Sequence, residues 1–343
     1  MPAQEKRQSR AGMISRYWTP LKRRIQKTRR AIWKRAGLGS LKRAFFLSAE
    51  RRRQLERWLR GRTEYHRLRE ADVVIVSYPK SGRTWLRVLL SRYFQLRYRI
   101  DESSVLGFDN FHLMDDRIPK ILFTHDNYLR DYTGEGETRV SFRDKRMVLL
   151  VRSPQDVVTS SYFQWKFRTG EAKKKLNQLP PHGAEISMFD FAMTRTIGLP
   201  RIVGFLNEWS RELSGIREIL VVRYEDLLAD SEREFGRIIE FVDGPADRSL
   251  IGEVVDFASV SKSRSREGQS QLSTRMGKLR PGEHANPDSY KVRRAKVGGY
   301  RNYFDDDELR RIDDYVRTHL EPGFGYGDES IAAPGDAKSF RSM

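Results

Sequence analysis

Val73-Val74-Ile75-Val76-Ser77 runs directly into Tyr78-Pro79-Lys80-Ser81-Gly82-Arg83-Thr84-Trp85, and this junction decides the fold. The first stretch is short and β-branched, the composition of a strand buried on both faces. Pro79 and Gly82 mark a tight turn. From Thr84 to Leu96 the apolar residues Trp85, Leu86, Leu89, Leu90 and Tyr93 recur at helical spacing. Strand, loop and helix in this order make a phosphate-binding plan. A helix N-terminus offers unpaired N–H groups and partial positive charge. Gly82 lets the backbone approach a ligand closely. Lys80 adds a mobile cation, and Ser81 and Thr84 add hydroxyls.

The surrounding chain repeats the alternation. Ile121-Leu122-Phe123, Met147-Val148-Leu149-Leu150-Val151 and Ile219-Leu220-Val221-Val222 read as further strands. Helices are expected over 154–167, through most of 187–213, and near 231–242, 247–258 and 305–319. The fold class is therefore α/β, with a central, mainly parallel sheet flanked by helices. Residues 168–186 and the Ser/Arg/Gly-rich 259–292 read as loops.

The loop at Lys80 is not a Walker A sequence, because Lys80 precedes Ser-Gly where G-x-x-x-x-G-K-[ST] would have it follow a second glycine. The 147–151 strand ends in Arg152, where an ATPase-type site would offer an acid for Mg²⁺. A cation there attracts a second anion instead. These residues resemble the PAPS-dependent sulfotransferases (PAPS is 3′-phosphoadenosine-5′-phosphosulfate). Y-P-K-S-G-x-T-W after a hydrophobic strand is similar to that family's 5′-phosphosulfate loop, which implies a P-loop-like sulfotransferase fold. It also implies PAPS as co-substrate and sulfuryl donor, with no metal expected.

The resemblance continues in order along the chain, over about residues 72–320. Arg152 and Ser160 match the segment that grips the 3′-phosphate of PAPS. Val222-Arg223-Tyr224-Glu225-Asp226-Leu227 matches the strand-end segment that places Tyr224 near the adenine, where the Trp85 indole would also stack. Arg293-Arg294-Ala295-Lys296-Val297-Gly298-Gly299-Tyr300-Arg301-Asn302-Tyr303-Phe304 resembles the late basic segment, with Arg293 and Arg294 as its phosphate-binding pair. It departs from the family at Ala295, Gly299, Tyr300 and Arg301. The expected cofactor residues are Lys80, Ser81, Gly82, Arg83, Thr84, Trp85, Arg152, Ser160, Tyr224, Arg293 and Arg294.

Sulfuryl transfer needs charge stabilisation on the leaving group and a base for the acceptor proton. Lys80 is the candidate for the first role. His125, following the 121–123 strand, is the candidate for the second. Phe123 stands where the family places a lysine. His112 competes among the histidines. A carboxylate base, Asp126 or an acid in 101–116, is the alternative.

Charge is unevenly spread in the 343 residues. The net charge is +19, yet residues 1–70 hold 22 Lys+Arg against 5 Asp+Glu and the rest is nearly neutral. The expected organisation is a basic helical N-terminal extension (1–70), a sulfotransferase domain (71–322) and a tail (323–343). In the extension Thr19-Pro20, Ser40 and Ser48 are candidate helix caps, and Leu55, Trp58 and Leu59 form an apolar stripe. Such helices suit an anionic membrane surface. No cysteine is present, so disulfides and thiol chemistry are excluded. No apolar run approaches the length of a membrane span, and no secretory signal is read at the N-terminus. A cytoplasmic location is expected, with peripheral contact at a membrane surface as the further option.

Three function classes compete. The first is a sulfotransferase acting on an acceptor hydroxyl (a glycan, glycolipid or small alcohol) or alternatively an amine. The second is a P-loop nucleotide kinase. The third is a basic binding protein for anionic lipid or nucleic acid, although the near-neutral body requires no nucleic acid.

Overall fold

The computed structural model describes residues 47–102, 104–259 and 296–326. Four strands, β1 (Val73–Ser77), β2 (Ile121–Thr124), β3 (Arg146–Val151) and β4 (Glu218–Arg223), form one sheet in the order β2-β1-β3-β4. Every neighbouring pair is parallel. All four strands expected from the sequence are present.

The sheet is covered on both faces, which explains why its strands read as unbroken apolar runs. Val74, Val76, Met147, Leu149 and Val151 point into one core. Val73, Ile75, Val148 and Leu150 point into the other. The helix after β1, α2 (Arg83–Tyr98), buries Leu86, Leu89, Leu90 and Tyr93 in the second core. The helix after β3, α4 (Pro154–Phe167), buries Val157, Val158 and Tyr162 in the first. Crossovers from β1 and β3 thus go to opposite faces. This opens a crevice at the carboxyl ends of the strands, where ligands of such sheets bind.

Helix α1 (Ala49–Glu70) starts where expected: the Ser48 hydroxyl accepts from the Arg51 N–H at 3.3 Å. It extends far beyond the apolar stripe and packs on the short helix α3 (Leu129–Thr133). Trp58 and Tyr65 both meet Tyr132, with ring centroids 5.1 and 5.4 Å apart. The other two candidate caps, Thr19-Pro20 and Ser40, lie outside the described residues.

The remaining helices are α5 (Glu171–Leu176), α6 (Met188–Met193), α7 (Leu199–Glu212), α8 (Tyr224–Ala229), α9 (Ser231–Asp243), α10 (Arg248–Phe257) and α11 (Asp306–His319). The mostly helical 187–213 stretch consists of α6 and α7. Pro200 cannot donate within a helix interior but fits a first turn, so a new helix begins there. α5 falls inside 168–186, which reads as a loop because its first turns are charged and its apolar positions are few. Residues 260–292 lie outside the described part.

Gly61 explains how closely α1 approaches α3. A Cβ there would stand 2.2 Å from the Tyr128 carbonyl oxygen and 2.9 Å from Tyr132 Cβ. In an open helix Gly→Ala stabilises by about 1 kcal/mol. Gly61→Ala should instead destabilise by about 1–3 kcal/mol, the usual cost of overpacking. Thermal unfolding measures the sign. A raised Tm would mean that α1 is not seated on α3.

Candidate active site

Parallel register brings the ends of all four strands to one edge. Val76 pairs with Thr124, Ser77 with Leu150, and Val151 with Arg223. The next residues are the Tyr78–Gly82 loop, His125, Arg152 and Tyr224. Four separate sequence motifs therefore meet.

The loop after β1 is held in an uncommon backbone conformation. Lys80 has φ 76° and Gly82 has φ 95°. A positive φ at a lysine costs energy and is found where surrounding contacts enforce it. Here Arg152 Nη1 donates to the Lys80 carbonyl at 3.2 Å, and the Ser81 N–H donates to the Tyr78 carbonyl at 3.3 Å. Gly82 then caps α2, taking the Trp85 and Leu86 N–H groups at 2.9 and 3.2 Å. The N–H groups of Gly82, Arg83 and Thr84 find no acceptor among the described residues. That is an anion cradle at a helix N-terminus.

Tyr224 closes the loop from beneath. A Cβ on Gly82 would lie 2.5 Å from Tyr224 Cδ2. The Arg152 guanidinium sits 4.3 Å above the Tyr224 ring, and Trp85 meets the same ring edge-on at 5.9 Å. The Trp85 indole donates to the Ala258 carbonyl at 2.9 Å. Loop, Arg152, Tyr224 and Trp85 are thus one packed unit. Ser160 lies two turns along α4 from Arg152, half-buried.

Two carboxylates that the motifs did not single out hold this unit together. Glu225, buried, accepts from the Ser153 N–H at 2.9 Å and from the Tyr326 hydroxyl at 2.6 Å. Asp156, buried, accepts from the Gly298 and Tyr300 N–H groups at 3.0 and 3.2 Å and faces Arg152 at 3.6 Å. Asp156 therefore docks the late segment beside Arg152. Arg293 and Arg294 precede that docked stretch and lie outside the described residues. Isolated acids carry no sequence signal, although Asp156 stands at the i+4 spacing from Arg152 that suits a helical pair.

His125 sits at the end of β2. Its Nδ1 lies 2.7 Å from the Ser77 carbonyl, so Nδ1 carries the hydrogen and Nε2 is the lone-pair nitrogen. Arg83 Nη2 donates to that Nε2 at 2.5 Å. The Arg83 side chain is thus directed at His125, while its N–H stays in the cradle. Burial, and then the like charge of Arg87, pull the Arg83 guanidinium down to about 9, against the field of Glu64. At that value it is still charged at neutral pH. The Arg87 guanidinium lies 4.2 Å over the Phe123 ring. Two arginines one turn apart on α2 thus lie beside His125 and Phe123. Glu64, from α1, takes the Thr124 hydroxyl, and burial raises its pKa.

The alternative bases are placed elsewhere. Asp126 is fully buried and ion-pairs with Arg139 at 2.9 Å, which Glu208 also meets at 2.5 Å. Burial pushes Asp126 up to about 7 against the pull of Arg139. His112 is turned to the Ile118 carbonyl at 2.9 Å. A cavity of about 1090 Å³ opens on Lys80 and His125, and neither Asp126, His112 nor any acid in 101–116 lines it. The first half of α1 does line it, through Arg51, Leu55, Arg57 and Trp58 among others. Leu55 and Trp58, exposed apolar side chains of the basic stretch, face this cavity.

Gly82→Ala should both strain the left-handed position and push Tyr224 from beneath the loop, each worth about 1–2 kcal/mol. Affinity for adenosine 3′,5′-bisphosphate (PAP) should fall at least tenfold, as read by calorimetry. Unchanged affinity would separate Gly82 and Tyr224 from nucleotide binding.

Comparisons with known proteins agree with this geometry. The sulfotransferase domain family matches residues 70–323. Cytosolic sulfotransferase 10 of Arabidopsis thaliana is 23% identical over 284 residues, covering 74% of this chain and 79% of that protein. Flavonol 3-sulfotransferase of Flaveria bidentis is 25% identical over 267 residues, covering 73% and 81%. Among solved structures, mouse sulfotransferase SULT7A1 complexed with PAP shares the fold, with a TM-score of 0.51 and 17% identity over 76% of this chain and 90% of that one. The family match spans most of the chain and the P-loop-like site sits where its motifs lie: this chain belongs to the sulfotransferase family.

Proposed function

We propose that this sulfotransferase takes its sulfuryl group from PAPS and passes it to an acceptor hydroxyl, with Lys80 and His125 carrying the transfer. One observation supports the reading above the others: a lysine-bearing anion cradle and a histidine whose Nε2 is the lone-pair nitrogen, met by Arg83, line the same cavity. The residues present fit the donor. The cradle N–H groups suit its 5′-phosphosulfate. Arg152 Nε is buried without a hydrogen-bond partner among the described residues, and Ser160, two turns along the chain, is half-buried, which suits the 3′-phosphate. Trp85 and Tyr224 offer aromatic surface for the adenine.

In the reaction the bond between sulfur and the bridging oxygen of the phosphosulfate breaks, and a bond from sulfur to the acceptor oxygen forms. The bridging oxygen keeps the electron pair, and the Lys80 ammonium balances the charge that develops there. The acceptor proton goes to His125 Nε2. The Ser77 carbonyl holds the ring in the tautomer that can receive it. The acceptor hydroxyl takes the position that Arg83 Nη2 occupies in the free enzyme, and Arg83 remains beside the reacting oxygens as a second cation. Asp126 is committed to Arg139 and takes no part.

His125→Ala should retain PAP binding but lose about 10²–10⁴ in kcat, the usual contribution of a positioned base. Transfer from labelled PAPS to a simple phenol, alongside calorimetric PAP binding without Mg²⁺, tests this. Unchanged turnover would remove His125 from the role, and preference for ATP with Mg²⁺ would sink the donor reading.

A cytoplasmic location is in keeping with relatives named as cytosolic sulfotransferases. We assign membrane contact, if the basic extension provides it, to residues 1–46, because α1 is occupied with α3 and the cavity. Deleting 1–46 should weaken co-sedimentation with phosphatidylserine vesicles while leaving PAP binding intact. Equal sedimentation of both forms would show that the extension's charge serves another purpose.

A further inference from the structure

We propose that the acceptor of this enzyme is a hydroxylated, ring-containing molecule that also carries an acidic group, a carboxylate, sulfate or phosphate, held by the cationic wall of the cavity around Arg201. This names the substrate class of the acceptor site, and it rests on the reading above for which end of the cavity reacts.

The cavity has a reacting end at Lys80 and His125 and an aromatic waist formed by Trp58, Tyr78, Trp165 and Phe205. A volume of about 1090 Å³ at the upper end of the usual small-molecule range leaves room beyond one ring. Its charge is one-sided. Among the described residues Asp131 is its single acidic wall residue, and Arg57 takes it at 2.8 Å. Arg53 is paired with Glu50 on its own helix. Apart from Lys80 at the reacting end, four wall cations remain, Arg51, Lys173, Arg195 and Arg201, and none has an acidic partner among the described residues.

Exposed lysines and arginines on a surface need no partner, because water solvates them. Arg195 and Lys173 alone would therefore mean little. Arg201 differs. It is half-buried, and it sits in the first turn of α7, which contains no acid. The helix dipole there adds positive potential to its own charge. Its field reaches the Tyr78 hydroxyl, one residue from the loop that carries Lys80. A cleft lined mainly by one sign of charge concentrates field and favours a ligand of the opposite sign. A neutral ring compound would fill the waist and leave these charges unanswered. A protonated amine acceptor would be repelled, so the wall also decides between a hydroxyl and an amine as the group sulfated.

The test uses the full-length protein saturated with PAP and three probes of one shape: 3-(4-hydroxyphenyl)propionate, its methyl ester, and tyramine. Calorimetry should give the acid about tenfold tighter binding than the ester, the scale of one charge-assisted contact. Tyramine should bind weakest, and added salt should narrow the gap. Initial rates with PAPS should show the preference in KM more than in kcat. Arg201→Gln should bring the acid-to-ester ratio close to one. Should that variant fail to fold, Arg195→Gln, at an exposed position, and the salt dependence of the native protein still decide. Equal binding of acid and ester, or a preference indifferent to salt and to both substitutions, overturns the proposal. If PAP binds and the neutral phenol is sulfated without any acid preference, this inference falls and the donor reading stands. Failure to bind PAP sinks the donor reading, and the acid-to-ester ratio, measured also on the protein without PAP, then decides this inference by itself.

Discussion

The parallel register of four strands is the constraint on which the site depends. Each strand ends at the same edge, so each following residue is delivered to one crevice. A slip of one residue in β3 would move Arg152 away from the Lys80 carbonyl and turn Met147, Leu149 and Val151 to the opposite face. The two cores on either side of the sheet prevent that slip, because each strand already commits alternate residues to each core. Site geometry is thus a by-product of core packing. The polar contacts at the edge, Arg152 to Lys80 and Glu225 to Ser153, refine what the register has set.

Much of this was legible in the chain because the relevant signals are local. A β-branched run followed by Pro, Lys and Gly announces strand and loop within ten residues. The four strands were readable because burial on both faces forces an apolar run. Ser48 was readable as a cap because a cap needs one residue type at one position. The positive φ at Lys80 and Gly82 belongs to the same loop, although only the glycine advertises it.

Illegible features depend on distant partners. Asp156 and Glu225 are ordinary acids until Gly298, Tyr300, Ser153 and Tyr326 arrive from far along the chain. Arg83 reads as a loop residue, and only the spatial meeting of β2 with α2 turns its guanidinium toward His125. Trp58 and Leu55 read as a lipid-facing stripe because α1 is basic and partly apolar. Their place in the cavity wall follows from the seat of α1 on α3, which Gly61 permits and which no periodicity encodes. Where α6 gives way to α7 within the helical 187–213 stretch, Pro200 marks the new start.

The distribution of charge ties these observations together. Arg83 and Arg87 stand half-buried on α2, Arg152 stands over Tyr224, and several cations line the cavity. Withdrawing guanidinium groups from water is unfavourable, and the lowered pKa of Arg83 and Arg87 expresses that cost. Where the chain needs only stability it supplies the acid itself, as Asp126 and Glu208 do for Arg139. Around the cradle and along the cavity cations outnumber acids among the described residues. Energy held as unmatched positive charge is released when an anion enters, so it becomes binding energy for a polyanionic donor at one end of the site. The same argument applies across the cavity wall, where Arg201 meets no acid among the described residues and an acceptor bearing one would complete the balance.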